Sequence, residues 1–486
     1  MASSDLGDAV TAARQPAVTG PAAPAQGARS PRRDWLLAVG AAAFAVAVGG
    51  YAVYVATSPR NVWMVPVDLR VYRDGGLIVR HVAPMYRALR ASPLYDWPGY
   101  EQLKFTYPPF AAMLFTVLTL TSFSALMKLS VAVSILALLA TIWMTFGALG
   151  YRRGLVRLGA TLLLAAPLLW TEPVQRTLFL GQIEIVLMAL IIWDQAQPDR
   201  RWWKGAGIGV AAGIKLIPLI FIPYLLLTRR FRQAAVASGT FALTVLLGFA
   251  VLPADSRAWW LDGLFYQGGR TGFVGWEGNQ SLQALITRLS GSVAHARPVY
   301  LVTAVVVAIA GIGAAAILDR AGHRMVGLLT CALTGLLVSP ISWDHHWVWI
   351  VPGTVTAVVY TVRARRTAAR LAWAGLAAAI AALFGAWPGV LWGAPSDFGS
   401  FSKGLIFAPP YTAPAVYYRL GDRPWYAEYH WHGLQLLTGN LYVLTGMALF
   451  LMLLVLAVRP ARAALAGRAV RQPGPLRPAP AAPPPG

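Results

Sequence analysis

The chain has 486 residues, of which 57% are hydrophobic and only 12% charged, with a mean hydropathy of +0.56; soluble domains carry roughly a quarter charged residues, so a soluble class is excluded and the fold class is an all-α polytopic membrane protein. The 41 Lys+Arg against 19 Asp+Glu do not point to nucleic acid. They fall in short runs between apolar segments, Arg152-Arg153, Arg200-Arg201, Arg229-Arg230 and Arg363 to Arg370, which is the positive-inside pattern.

Residues 1–34 are rich in Ala, Pro, Gly and Ser and end in Arg32-Arg33-Asp34, which predicts a disordered cytoplasmic tail. The apolar run Trp35–Thr57 is long enough to span at about 20 residues. It lacks a small-residue cleavage site and reads as a retained anchor. Residues 35–458 form the membrane domain, and 459–486 a second disordered cytoplasmic tail rich in Pro, Ala and Arg.

Between the first two apolar segments lies a long connection, 63–110. Connections of that length are usually functional or disordered, and this one is too rich in Tyr, Trp, Leu and Val for disorder. Asp68 stands where the chain leaves the first span, in Val67-Asp68-Leu69-Arg70-Val71-Tyr72. Its carboxylate is placed at the bilayer rim, within reach of headgroups and water. Tyr72, Arg73, Asp74 and a Gly75-Gly76 turn follow, then Tyr95, Tyr107 and Pro108-Pro109. The set suits a polar, ring-shaped substrate, although interfacial aromatic rings also serve as belt residues.

Further apolar segments run at 109–149, 155–171, 178–195, 205–228, 232–252, 297–318, 324–340, 345–362, 369–388 and 437–458, giving about twelve spans at ~20 residues each. Treating 109–149 as two spans would put Arg152-Arg153 outside. Keeping it as one bent span, and breaking 205–228 at Pro218 into two short helices, obeys the charge rule. The connections 253–296, 339–345 and 389–436 are then external.

Polar side chains inside apolar segments are functional candidates because burying them is costly. Gln182 and Glu184 lie in Leu180-Gly181-Gln182-Ile183-Glu184; they bond helix to helix or touch substrate. Lys215, in Gly213-Ile214-Lys215-Leu216-Ile217-Pro218, snorkels to an interface or neutralises a phosphate. Asn279 and Gln280, in Trp276-Glu277-Gly278-Asn279-Gln280-Ser281, offer amides to sugar hydroxyls or build a turn and helix cap. The external turn Ser339 to Trp347 carries Asp344, His345 and His346, two of the seven histidines in the chain. Adjacent histidines at a helix start diverge, and no further ligands have the usual spacing, so a phosphate or hydroxyl contact is preferred to a metal. There is no Walker loop and no dinucleotide fingerprint, so nucleotide chemistry is unsupported.

The succession Val-Asp-Leu-Arg-Val-Tyr, Phe-Thr-Tyr-Pro-Pro-Phe, Leu-Gly-Gln-Ile-Glu, Gly-Ile-Lys-Leu-Ile-Pro, Gly-Asn-Gln-Ser-Leu and Ser-Pro-Ile-Ser-Trp-Asp-His-His, over Trp35 to Trp349, resembles glycosyltransferase family 87 of the GT-C superfamily, which includes PimE-type α-1,2-mannosyltransferases. The resemblance implies a GT-C fold with amphipathic helices in the first external loop, over 73–103. It implies a polyprenyl-phosphate-sugar donor, a glycolipid or glycan acceptor among membrane lipids, and an inverting transfer with Asp68 as general base. Lys215, His345 and His346 would then bind the donor phosphate, and Tyr72, Tyr107, Gln182, Asn279, Gln280 and Asp344 the substrates, with no metal or other cofactor. The site would face outward in the plasma membrane. Mannose leads over arabinofuranose as the sugar. A transporter or flippase is the alternative outside enzymes, and would not need the Asp68 carboxylate.

Overall fold

Apolar runs interrupted by glycine, proline and polar residues fold here into a mixture of long and short helices. The computed structural model describes residues 31–57, 64–82, 93–96, 104–267, 270, 272–387, 404–407, 418–420, 423–425 and 427–470. In chain order the helices are α1 (Pro31–Thr57), α2 (Val67–Val82), α3 (Pro93–Asp96), α4 (Pro109–Phe115), α5 (Phe123–Ala148), α6 (Leu155–Leu169), α7 (Glu172–Leu180), α8 (Glu184–Ala196), α9 (Ala206–Ile214), α10 (Phe221–Leu227) and α11 (Phe231–Val251). They continue as α12 (Pro253–Trp260), α13 (Leu282–Ser290), α14 (Val293–Arg320), α15 (Arg324–Val338), α16 (Ile350–Arg363), α17 (Thr367–Leu383), α18 (Leu434–Thr438) and α19 (Leu441–Val470). A small antiparallel hairpin, β1 (Tyr418–Leu420) with β2 (Arg423–Trp425), is added to an otherwise helical protein. The tails expected at 1–34 and 459–486, most of the 389–436 loop, and 83–92 and 97–103 of the first loop lie largely outside the described residues.

Among the described residues α1 from Asp34, α5, α11, α14 and α19 as far as Val458 are long and apolar enough to cross a membrane, and α7 with α8 makes a sixth bent by 116°. The protein is a multi-pass membrane protein. Other apolar segments form shorter helices, among them Pro109–Thr119, Leu155–Leu169, Ile217–Leu227, Arg324–Val338 and Thr367–Leu383.

The breaks have local causes. The 178–195 segment is not one helix, because Gly181 closes α7 in the left-handed conformation (φ 71°). A Cβ there would lie 2.7 Å from Cβ of Leu69, so only glycine admits α2 at this point. The 205–228 segment breaks as the proline suggests, but at Lys215, three residues before Pro218. Proline has no N–H to give to the carbonyl four residues back, which is that of Ile214, the last residue of α9. Lys215 itself is extended (φ −147°, ψ 133°).

In 109–149 the chain makes one full-length helix, α5, preceded by a short helical stretch ending at Thr119. Arg363 Nη2 donates to the Leu149 carbonyl at 2.6 Å, which gathers 149–153 with the basic loop after α16. The other basic loops are tied to one another as well. Arg324 pairs with Asp199 at 3.0 Å, Arg232 donates to the carbonyls of Asp199 and Arg201, and Arg230 pairs with Asp319 at 2.6 Å. Helices α15 and α16 run from this basic end to the 339–349 turn and back. That turn, about 20 Å away at 1.5 Å per residue, marks the opposite end.

Gly75 and Gly76 do not form the expected turn. They lie inside α2, where the bare backbone packs on the Phe105 ring and the Phe115 carbonyl; a Cβ would meet these at 2.5 and 2.4 Å. The loop thus begins as an amphipathic helix that clamps α4 and carries Asp68 in its first turn.

Candidate active site

Three broken elements meet at the end opposite the basic loops: α7 with α8, α9 with α10, and the 3-10 turn Asp344–Trp349. Irregular backbone at such depth is tolerated where it is enclosed by protein or lines a cavity. Here it lines one.

The start of α2 brings Asp68 to Gln182, to which it hydrogen-bonds, with His345, Lys215 and Arg176 also acting on its carboxyl. Burial raises the Asp68 pKa above the ordinary carboxylate value, and His345, Lys215, Gln182 and Arg176 oppose the rise in part. Beside it the Tyr72 hydroxyl donates to Gln182 Oε1 at 2.5 Å and lies 3.0 Å from the Tyr107 hydroxyl. The two rings meet edge to face at 5.1 Å. Burial pushes both phenols up, so they remain neutral hydrogen-bonding groups.

Lys215 closes the other side. Its ammonium pairs with Glu184 Oε1, lies 3.0 Å from His346 Nε2, and faces the Tyr107 ring at 5.6 Å. An ammonium only donates, so His346 Nε2 accepts and carries no proton. His345 and His346 pack ring against ring at 4.7 Å. The sequence candidates Asp68, Tyr72, Tyr107, Gln182, Lys215, His345 and His346 therefore share one cluster.

One oxygen of Glu184 and one nitrogen each of His345 and His346 lie within 4.8 Å of one another, a set able to hold a metal ion. Lys215 already places a cation between two of the three.

Three other candidates are differently employed. Asn279 and Gln280 are fully buried and bound to the chain itself. Asn279 donates to the carbonyls of Val274 (2.9 Å) and Pro340 (3.2 Å) and accepts from Ser342 N–H (2.9 Å). Gln280 donates to the carbonyls of Glu277 (2.6 Å) and Gly439 (2.8 Å) and accepts from the N–H groups of Tyr442 and Val443. They join segments to one another, and the backbone groups they satisfy would cost about 1–3 kcal/mol each if orphaned. Asp344 is likewise buried, paired with Arg176 Nε (3.3 Å) and His345 Nδ1 (3.0 Å).

Arg176 and Glu172 were not evident from the sequence as site residues. Their spacing of four in a segment that enters an apolar helix was the available signal. Both are buried.

From the Lys215, Glu184 and His346 cluster a small apolar pocket opens, lined by Leu187, Met188, Ile191, Ile217, Phe221 and Trp349 among others.

No solved structure matches the chain. The model of glycosyltransferase family 87 matches residues 105–340. A polyprenol-phosphate-mannose-dependent alpha-(1-2)-phosphatidylinositol pentamannoside mannosyltransferase of Mycobacterium tuberculosis (strain CDC 1551 / Oshkosh) is 34% identical over 385 residues, covering 79% of this chain and 81% of that one. The protein of the same description from Mycolicibacterium smegmatis is 31% identical over 79% of this chain and 85% of its own length. A polyprenol-phosphate-mannose-dependent alpha-(1-2)-phosphatidylinositol mannoside mannosyltransferase of Mycobacterium tuberculosis (strain ATCC 25618 / H37Rv) is 32% identical over 64% of this chain and 74% of its own. With identity above 30% sustained over most of the length of such relatives, the chain belongs to glycosyltransferase family 87.

Proposed function

We propose that the protein transfers mannose from polyprenyl-phosphate-mannose to a hydroxyl of a phosphatidylinositol mannoside, forming an α-1,2 linkage with inversion. The observation that carries this reading is a half-buried carboxylate, Asp68, facing a Lys-His cluster at the mouth of an apolar cavity. The named relatives supply the sugar and the acceptor class. Asp68 takes the proton of the acceptor hydroxyl as its oxygen bonds to the anomeric carbon. The bond from that carbon to the phosphate oxygen breaks, and polyprenyl phosphate leaves with the electron pair. General-base help of this kind is worth about 10²–10⁴-fold.

Lys215 stabilises charge on the leaving phosphate as a preorganised donor, with His345 and His346 flanking it there. Tyr72, Tyr107 and Gln182 hold the reacting sugars, and the apolar cavity takes the first units of the lipid chain. Lys215 supplies the positive charge locally, so the reaction needs no metal ion or other cofactor. By the positive-inside rule the basic end is cytoplasmic, with both termini, and the site lies at the external face of the plasma membrane. Nucleotide sugars are absent there, and a lipid carrier presents its phosphate at headgroup depth.

Purified protein with a phosphatidylinositol mannoside acceptor should transfer mannose from polyprenyl-phosphate-mannose without nucleotide. Transfer from GDP-mannose, or from polyprenyl-phospho-arabinose alone, would refute the donor.

A further inference from the structure

We propose, resting on the phosphate-binding reading above, that Arg176 and Asp344 are positioning residues that lock His345 in the tautomer with its proton on Nδ1, so that Nε2 faces the leaving phosphate. Asp344 Oδ1 lies 3.0 Å from His345 Nδ1 and accepts the His345 backbone N–H at 2.7 Å. Both ends of the residue are thereby held by one oxygen. A carboxylate accepts only, which places the proton on Nδ1. Asp344 Oδ2 pairs with Arg176 Nε at 3.3 Å, and the two side chains are 1% and 3% exposed.

The guanidinium is fixed in turn. It lies 5.6, 5.9 and 5.4 Å from the rings of Phe179, Trp276 and Phe407. Glu172, equally buried, faces both Arg176 and Asp344 and accepts from the Tyr442 hydroxyl at 3.0 Å. This tethers the charged group to α19. At the far end of the relay His345 Nε2 is buried without a hydrogen-bond partner among the described residues. A buried ring nitrogen in that state, beside Glu184, His346 and Asp68, is a contact reserved for something that enters the site. With Nδ1–H held by Asp344, Nε2 is the ring edge left to meet what enters the site.

The test has two readouts. In ring-¹⁵N spectra of the purified full chain, with the His345 signals assigned by difference against His345→Gln, proton on Nδ1 is expected. Proton on Nε2 with Nδ1 bare would overturn the proposal, whatever the activity. In kinetics, Asp344→Asn should lower kcat by about 10²–10⁴-fold, as loss of the correct tautomer does in other Asp-His pairs, while the donor KM changes less than about threefold. Arg176→Met should lower kcat by about tenfold or more, and Arg176→Lys, which keeps the charge, should recover part of it. A loss carried by KM alone, or no difference between the Lys and Met variants, would count against positioning. The spectrum of the unaltered protein needs no folded variant. A different donor would refute the transfer reading and leave the tautomer unchanged, so the two failures are separable.

Discussion

Lys215 Nζ stands 3.0 Å from His346 Nε2 and is paired with Glu184. A lysine thus sits between two members of a His-His-Glu set that would otherwise suit a metal ion. Lys215→Ala should remove the resident cation and leave three convergent ligands, so the variant should bind Zn²⁺ with a defined stoichiometry by calorimetry. The unaltered protein should not, and chelator should leave its transfer rate nearly unchanged. Zinc in stoichiometric amount in the unaltered protein, together with loss of transfer on chelation, would reject lysine as the working cation.

Asp68→Asn keeps the shape of the site and removes proton acceptance. Transfer should fall by about 10²-fold or more, with the protein still monodisperse in detergent. Because burial raises the Asp68 pKa, the base is lost as pH falls through a value above the ordinary ~3.9. The acid limb of kcat/KM should therefore lie above that range. Near-normal transfer by the Asn variant would remove Asp68 from the mechanism.

Glu277, in the 253–296 connection, has its pKa pushed up to about 8 by burial first and by Glu428 next, against Arg288 and Arg176. Its ordinary value is 4.5, so between that pH and about 8 the folded state holds a proton that the unfolded state has released. Stability should therefore fall as pH rises across this window. Thermal unfolding followed from pH 5 to 8 should show the decline, and Glu277→Gln should flatten it.

Gln280→Ala should act on stability rather than on recognition. It leaves the N–H groups of Tyr442 and Val443 and the carbonyls of Glu277 and Gly439 without the side chain that joins them, each at about 1–3 kcal/mol. The melting temperature should drop by several degrees while the acceptor KM of the folded fraction stays close to normal. A selective rise in acceptor KM would restore Gln280 as a sugar ligand.

A cysteine at Arg153 in a Cys331→Ala background should resist membrane-impermeant thiol reagents in intact cells, since the Leu149 carbonyl is bound to Arg363 at the basic end. Labelling from outside would invert that assignment.

The membrane class and the cluster of Asp68, Tyr72, Tyr107, Gln182, Lys215, His345 and His346 were legible because polar groups in apolar segments are costly and therefore few. Other features depend on partners remote in sequence. The bend at Gly181 exists because Leu69 presses on it, and nothing within 178–195 announces that contact. Asn279 and Gln280 could not be told from sugar ligands, because an amide offers the same donors and acceptor to a hydroxyl as to a backbone. Arg176 and Glu172 read as ordinary charges near a helix start until Asp344 and Tyr442 are seen beside them.

The joint formed by Gln280 also dictates an order of assembly. It ties residues 277–280 to the backbone at 439–443, and Arg288 Nε adds a bond to Asn440 Oδ1 at 2.9 Å. A chain inserted helix by helix therefore leaves this joint open until residues 439–443 have been made. Any product halted before about residue 440 would occupy the bilayer with this joint unmade.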